Sequence, residues 1–199
     1  AEHLLYSRIG GPGKVFVSNT HFDTTRANIE FSGATAMDCP IPENRDPSLL
    51  HPFKGNLDTG QLLDQIARYG AENMAAVILT VTNNSGGGQP VSMANLRELR
   101  AFTAKHGIRI IHDMTRVAEN AHFIQKREAG YAKKSIREIV KEICSYTDGA
   151  TMSAKKDALV NIGGFMATNE WEVFEEARNL VVVYEGLHTY GGLAGRDME

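Results

Sequence analysis

The feature that most constrains the fold of this chain is an alternation of short apolar segments with longer helical segments. Residues 75–81 form an apolar run typical of a strand buried on both faces of a parallel sheet. The strands predicted from there onward are residues 75–81, 108–111, 150–152 and 163–168. The helices predicted beside them are residues 92–105, 115–126, 135–146 and 171–179. This alternation predicts an α/β domain with a mainly parallel sheet flanked by helices.

The earlier part of the chain continues the pattern. A helix is predicted to end at Ile9, before the glycine-rich residues 10–13. Asp23 or Thr24 is predicted to cap a helix over residues 26–31. The other predicted elements are strands at 14–18 and 34–38, an irregular loop at 39–55 and an amphipathic helix at 58–69. In the later part, Ser135 and Glu138 predict a capping box.

Composition argues against several classes of partner. A net charge of −3 gives no reason to expect nucleic acid or an anionic membrane, and 42% hydrophobic with 23% charged residues is ordinary for a globular protein. The apolar runs are too short to span a membrane, and the N-terminus lacks the basic start and apolar stretch of a signal peptide. Cys39 and Cys144 lack metal-ligand spacing, so they are interpreted as free thiols of a cytoplasmic protein.

Polar and reactive residues stand at the ends of three predicted strands. Asn84 and Asp113 each follow an apolar run, and residues 153–156 follow a third. In sheets of this kind the ligand binds outside the carboxyl ends of the strands. This coincidence is the main indication of a functional site in the sequence.

Lys156 and Asp113 match the needs of an aldehyde cofactor. Pyridoxal phosphate requires a lysine for a Schiff base and an acid that keeps its pyridine nitrogen protonated. Lys156 supplies the amine, and Asp113, at the end of a buried strand, needs a positive partner such as a pyridinium. Taken alone, however, Lys156 also fits a solvated turn, and Asp113 also fits a cap of the next helix.

Three further residues fit the same cofactor. Arg116, one helical turn beyond Asp113, is placed to reach the phenolic oxygen, and Asn84 is a second donor to that oxygen. Phe22 offers a ring to stack on the pyridine. The alternatives are a surface salt bridge for Arg116, a turn residue for Asn84 and core packing for Phe22. The glycines at 86–88 lack the spacing of nucleotide-binding loops, and the histidines lack zinc-site spacing.

Five motifs carry a resemblance that goes beyond composition. They are Phe22-Asp23-Thr24-Thr25-Arg26, Asn84-Ser85-Gly86-Gly87-Gly88-Gln89-Pro90-Val91-Ser92, Asp113-Met114-Thr115-Arg116 with Glu119-Asn120-Ala121, Met152-Ser153-Ala154-Lys155-Lys156-Asp157, and Tyr190-Gly191-Gly192-Leu193-Ala194-Gly195-Arg196-Asp197-Met198. On these motifs the chain closely resembles the β-eliminating lyases, the family of tryptophanases and tyrosine phenol-lyases. The resemblance covers almost all 199 residues and implies the aspartate-aminotransferase-like fold, fold type I.

The resemblance implies a role for each candidate residue. Lys156 corresponds to the Schiff-base lysine, which is also the candidate base for the substrate α-proton. Asp113 corresponds to the partner of the pyridine nitrogen. The other implied contacts are Arg116 and Asn84 to the phenolic oxygen, Phe22 to the pyridine ring, Ser153 to the phosphate and Asn161, through its backbone carbonyl, to a potassium ion.

The implied reaction is β-elimination of an aromatic amino acid, which yields pyruvate and ammonia besides the aromatic product. Asp23, together with residues 84–85 and 153–156, resembles the tryptophan-cleaving members of the family. Residues 113–116, 159–165 and 181–186 instead resemble the tyrosine-cleaving members. We favour tryptophan as the substrate, because Asp23 and its group lie nearer the expected substrate ring. Tyrosine is the alternative.

Residues 1–199 correspond to the pyridoxal-binding large domain of the family. The family's Gln-Gly-Arg phosphate-binding stretch precedes this region, and its small domain, with the arginine for the substrate carboxylate, follows it. Family active sites form between the subunits of a homotetramer, which implies a homo-oligomer whose substrate is a small molecule, an amino acid. One competing hypothesis is a large-domain fragment that acts only in assembly. Another is a different pyridoxal enzyme on the same fold, such as an aminotransferase or a cysteine-type lyase, against which the motifs at residues 22–26 and 153–157 argue.

Overall fold

The computed structural model describes residues 1–187 of the chain. The strands within this range are β1 (Val15–Ser18), β2 (Thr35–Asp38), β3 (Met74–Thr80), β4 (Ile110–Asp113), β5 (Gly149–Ser153) and β6 (Gly164–Thr168). The α-helices are α1 (Glu2–Ile9), α2 (Asp23–Phe31), α3 (Thr59–Tyr69), α4 (Met93–His106), α5 (Val117–Arg127), α6 (Ile136–Cys144) and α7 (Trp171–Tyr184). Short 3₁₀ helices cover Pro42–Arg45 and Ala71–Asn73.

The strands form one sheet in the order β2-β1-β3-β4-β5-β6. The first five strands run parallel, and β6 pairs antiparallel with β5 at one edge. The mainly parallel sheet predicted from the sequence is therefore confirmed. Among the described helices, none is long and apolar enough to cross a membrane.

Helices cover both faces of the sheet and form two cores. On one face α3, α4, α5 and α6 contribute Leu62, Leu96, Ala121 and Ile139, which pack against Val77 and Leu79 of β3. On the other face α1, α2 and α7 contribute Leu5, Ile29 and Val173, which pack with Ala76 and Ile78 of the same strand. Because residues of β3 enter opposite cores, the strand is buried throughout and is apolar from Met74 to Leu79.

Several helices begin as the sequence predicts. The Asp58 carboxylate caps α3 by accepting hydrogen bonds from the backbone N–H groups of Gly60 and Gln61, at 2.8 and 3.0 Å. Ser135 and Glu138 form the predicted capping box of α6. These caps satisfy N–H groups that have no partner inside the helix.

Other element boundaries differ from the prediction. The N-cap of α2 is Phe22, and no side chain caps this helix. Asp23 is the first helical residue, and the Thr24 hydroxyl instead donates to the Glu2 carboxylate at 2.6 Å. Helix α7 continues to Tyr184 through three valines, beyond its predicted end at residue 179.

Candidate active site

Two neighbouring strand ends at the carboxyl edge of the sheet hold the central candidates. The parallel register places Asp113 of β4 beside Thr80 of β3 and Thr151 of β5. Strand β5 ends at Ser153, and the turn that contains Lys156 follows directly. The structure thus brings the Asp113 strand end and the lysine turn together, as the shared edge of a parallel sheet predicts.

Asp113 is a buried carboxyl group that forms no ion pair inside the described part of the chain. It is 9% exposed and accepts a hydrogen bond from the backbone N–H of Thr115 at 3.1 Å. Burial raises the pKa of Asp113, and the hydrogen bonds of Thr115 and the positive charge of Lys156 oppose that rise. Within residues 1–187, no basic side chain makes a salt bridge with Asp113. A cationic ligand group would compensate the burial of this carboxyl.

Lys156 is held in place by a hydroxyl group. Its Nζ donates a hydrogen bond to Ser153 Oγ at 2.9 Å, and its side chain is half-buried. The neighbouring Lys155 is exposed, as expected of a lysine in a solvated turn. The backbone N–H of Ser153 in turn donates to Thr115 Oγ1 at 3.1 Å. A short chain of contacts therefore connects Lys156 to the segment that carries Asp113.

Arg116 is the N-cap residue of α5, and its own side chain makes no capping hydrogen bond. The helix is capped from the lysine turn instead. Asp157 Oδ2 accepts hydrogen bonds from the backbone N–H groups of Ala118 and Glu119, at 2.7 and 3.1 Å. Arg116 lies 3.7 Å from the Glu119 carboxylate, which matches the salt-bridge interpretation. Asp113 does not cap α5, so the helix-cap interpretation of that residue is wrong.

The two consecutive asparagines after β3 have different environments. Asn83 is buried, and its side chain contacts Thr20 Oγ1 at 3.2 Å and the backbone N–H of Gly86 at 3.0 Å. Asn84 has an exposed side chain, and its backbone carbonyl accepts a turn hydrogen bond from Gly87. Asn84 is therefore a turn residue whose side-chain amide remains accessible to a ligand.

Phe22 and Asp23 lie where β1 leads into α2. Phe22 is half-buried and belongs to neither core, so the core-packing interpretation is wrong for its ring. Asp23 is exposed in the first turn of α2. Both residues stand at the carboxyl edge of the sheet, on the side of β3 opposite to β4.

Two predicted features remain, the potassium ligand Asn161 and the last of the five motifs. Asn161 is exposed in the segment between β5 and β6. No group of three His, Cys, Asp or Glu side chains that could hold a metal ion occurs within the described part of the chain. The motif at residues 190–198 lies outside the described residues.

Three residues that hold the carboxyl edge of the sheet together had no predicted role. The Asn19 side chain bonds the backbone of Thr80 through both its oxygen and its nitrogen, at 3.0 and 3.1 Å, and so ties β1 to β3. Thr115 and Asp157 join the lysine turn to the start of α5. No sequence signal pointed to Asp157, because Asp113 was already a cap candidate for the predicted helix.

Comparison of the sequence with known proteins gives a consistent result. A family model described as beta-eliminating lyase matches residues 2–192. The chain is 54% identical to a tyrosine phenol-lyase of Nostoc punctiforme and 53% identical to a tryptophanase of Hyphomonas neptunium, over its full length. It spans 43% and 44% of the length of these two relatives.

Comparison with solved structures agrees at the level of the fold. A proposed L-allo-threonine aldolase from Listeria monocytogenes superposes with a TM-score of 0.61 at 19% identity. The match covers 92% of this chain and 44% of that protein. The fold class predicted from the sequence, fold type I, is thereby confirmed.

Proposed function

Since the chain belongs to the β-eliminating lyase family, we propose that it is a pyridoxal-phosphate-dependent carbon–carbon lyase. The proposed reaction converts L-tryptophan and water into indole, pyruvate and ammonia. The observation that carries the proposal is that the ends of two neighbouring strands, β4 and β5, bring Asp113 and Lys156 to one place. The buried Asp113, without a cationic partner in the described chain, lies next to a turn that presents the half-buried Lys156.

The residues at this edge fit pyridoxal phosphate. Asp113 offers a buried carboxyl to a protonated ring nitrogen, which removes the cost of leaving that carboxyl unpaired. Lys156 donates to a hydroxyl and makes no salt bridge within the described range, so its amine is not held by a carboxylate. When bound, the cofactor supplies an electron-withdrawing ring that stabilises negative charge at the substrate α carbon.

The chain's own residues then bind, orient and move protons. Asp113 keeps the proton on the ring nitrogen, and Phe22 stacks on the ring. Lys156 Nζ removes the substrate α-proton, because Lys156 is the basic residue whose positive charge acts on Asp113. Arg116 and Asn84 bind the phenolic oxygen. Ser153 holds Lys156 through its hydroxyl and contacts the phosphate.

Two amino acids are candidates for the aromatic substrate. Asp23 is exposed next to Phe22, which supports its position near the ring of a bound substrate and favours tryptophan. The second candidate is tyrosine, cleaved to phenol, pyruvate and ammonia. The relative with 54% identity, a tyrosine phenol-lyase, favours this alternative.

The proposal also covers the domain, a bound metal ion, the oligomeric state and the location in the cell. Residues 1–199 form the cofactor-binding large domain. A potassium ion binds the backbone carbonyl of Asn161. The protein works as a homotetramer, and large exposed apolar side chains such as Leu50 and Trp171 support an assembly. A cytoplasmic location is supported by Cys39 and Cys144, which are both free thiols.

Borohydride labelling tests the cofactor site. Pyridoxal phosphate is added, the complex is reduced, and the modified peptide is mapped by mass spectrometry. We expect the label on Lys156. Lys156→Ala should lose the label and retain non-covalently bound cofactor, and Asp113→Ala should bind cofactor more weakly. Lys105→Ala, which removes an exposed lysine at the end of α4, is the matched control. A label that persists in Lys156→Ala would overturn the assignment.

Product analysis tests the reaction. The loaded protein is incubated separately with L-tryptophan, L-tyrosine and an S-alkyl cysteine, and pyruvate, indole and phenol are measured. Indole with pyruvate supports the main proposal, and phenol with pyruvate supports the alternative. Pyruvate from none of the three, with Lys156 labelled, would leave a cofactor-binding domain that acts in assembly and would refute the lyase proposal.

A further inference from the structure

One carboxylate joins the lysine turn to the helix that begins at Arg116. Asp157 directly follows Lys156 in the chain, and its Oδ2 accepts from two backbone N–H groups in the first turn of α5, at 2.7 and 3.1 Å. The two contacting segments are almost forty residues apart in sequence. The contact is therefore tertiary, unlike the local cap that Asp58 provides for α3.

The charge of Asp157 suits this place. Arg116 puts a positive charge at the start of α5, where the helix dipole is also positive, and Arg116 offers no capping acceptor. A carboxylate at the same helix end makes charge-assisted hydrogen bonds to its free N–H groups and offsets the unfavourable charge. Asp157 thus lets an arginine occupy a position that would otherwise destabilise the helix.

Backbone contacts strengthen the same junction. The Thr115 carbonyl lies 3.5 Å from the backbone N–H of Asp157, and Thr115 Oγ1 accepts from the backbone N–H of Ser153 at 3.1 Å. Hydrogen bonds therefore hold both ends of the turn that carries Lys156 to the segment between Asp113 and Arg116. Loss of the Asp157 contact would free one side of that turn.

We propose that Asp157 is a positioning residue, which sets the place of Lys156 relative to Asp113 and Arg116 by capping α5 from the lysine turn. This inference rests on the proposed function of Lys156. A displacement of a reacting group by about 1 Å slows a reaction steeply. Asp157 acts through the lysine turn, because its carboxylate is engaged by two backbone N–H groups of α5.

The first test measures the reactivity of Lys156 without cofactor. The protein is acetylated with acetic anhydride over a range of pH, and the rate at Lys156 is divided by the rate at the exposed Lys105. In Asp157→Ala we expect this ratio to rise several-fold, because Lys156 is no longer held half-buried against Ser153. Asp58→Ala is the matched control, since it removes a carboxylate with two similar N–H contacts from α3 and should leave the ratio unchanged.

The second test uses pyridoxal phosphate. At subsaturating cofactor we expect borohydride-fixed label on Lys156 to fall about tenfold in Asp157→Ala and to stay constant in Asp58→Ala. Asp157→Asn, which preserves shape and removes charge, should change both readouts in the same direction and serves if the alanine variant fails to fold. Equal acetylation ratios and equal labelling in the Asp157 and Asp58 variants would overturn the proposal. An unlabelled wild-type protein would instead contradict the proposed function, and the acetylation ratio would still decide the role of Asp157.

Discussion

At the scale of single residues, burial acts in opposite directions on two neighbours in β4. It raises the pKa of Asp113 and lowers the pKa of His112 from 6.5 to about 3. The cause is the same for both, because a buried site disfavours whichever form is charged. The Asp113 side chain lies at the candidate site, whereas the His112 ring is fully buried, and neither of its nitrogens has a hydrogen-bond partner in the described chain.

His112 therefore makes the stability of the protein dependent on pH. In the unfolded chain this ring takes up a proton near pH 6.5, whereas in the folded chain it stays neutral until about pH 3. The free energy of unfolding therefore decreases as the pH falls from 6.5 toward 3. The free energy of unfolding falls by a few kcal/mol over this range, because one pKa unit corresponds to about 1.4 kcal/mol. The positive charge of Arg100 adds to the lowering, and the negative charge of Asp148 opposes it.

We expect His112→Leu to move the midpoint of acid unfolding to lower pH. The leucine is neutral at every pH, so the linked proton uptake disappears. Circular dichroism along an acid titration measures the midpoint. His122→Leu, which changes a histidine on the exposed side of α5, is the control and should leave the midpoint in place. An unchanged midpoint in His112→Leu would show that this ring is not excluded from protonation.

At the scale of elements, helix starts differ in how far the sequence reveals them. Ser135 and Glu138 lie three residues apart, and their capping box is formed as predicted. The cap of α5 comes from Asp157 and was not predicted, because its partner amides are distant in the chain. A local cap leaves a sequence pattern, whereas a tertiary cap leaves none.

Helix α6 is also joined to α4 through one carboxylate. Glu142 pairs with Arg97 at 2.5 Å and with Lys134 at 2.8 Å, and it accepts from the Tyr131 hydroxyl at 2.7 Å. Partial burial works against its ionisation, yet the hydrogen bonds from Lys134, Tyr131 and Arg97 lower the pKa of Glu142 to about 2. This stabilisation is present above pH 4.5 and is lost as the pH falls toward 2.

Glu142→Gln should destabilise the protein by about 1.5–3 kcal/mol at pH 7, the range for hydrogen bonds to charged groups. The difference from wild type should shrink as the pH approaches 2, because the wild-type carboxylate is then protonated as well. Urea unfolding at several pH values measures both effects. Glu172→Gln, an exposed residue in the first turn of α7, is the control. An equal loss at every pH would contradict the charge-based explanation.

At the scale of the whole molecule, apolar side chains remain exposed on the last strand and the last helix of the described range. Phe165 of β6 and Trp171 and Phe174 of α7 are 47%, 67% and 42% exposed. Strand β6 is also an edge strand, so its outer backbone groups have no partner strand in the described sheet. Such a surface is typical of one that is covered in an assembly.

We expect the protein to form a homotetramer, with a mass by light scattering four times the 21.8 kDa of the chain. Trp171 is the only tryptophan in the sequence, so its emission should shift to the blue on assembly if this surface is covered. Trp171→Phe supplies the blank for the emission. A monomer mass at every concentration, with emission typical of water-exposed indole, would contradict the prediction.

The sequence by itself determined the α/β architecture and indicated that Asp113 and the lysine turn lie at the same edge of the sheet. Apolar periodicity is a local property, and the ends of parallel strands must share one edge of the sheet. The motifs also identified the family, which the comparisons confirm. Sequence reasoning placed most helices and strands correctly and was least accurate at their ends.

Only the tertiary structure decided the order of the strands, the antiparallel direction of β6 and the connections that hold the site. Asn19 ties β1 to β3, and Asp157 caps α5, through hydrogen bonds between residues far apart in the chain. Whether a polar side chain such as Asn83 is buried or, like Asn84, exposed depends on the same distant contacts. These features have no local pattern, because their free energy comes from groups that folding brings together.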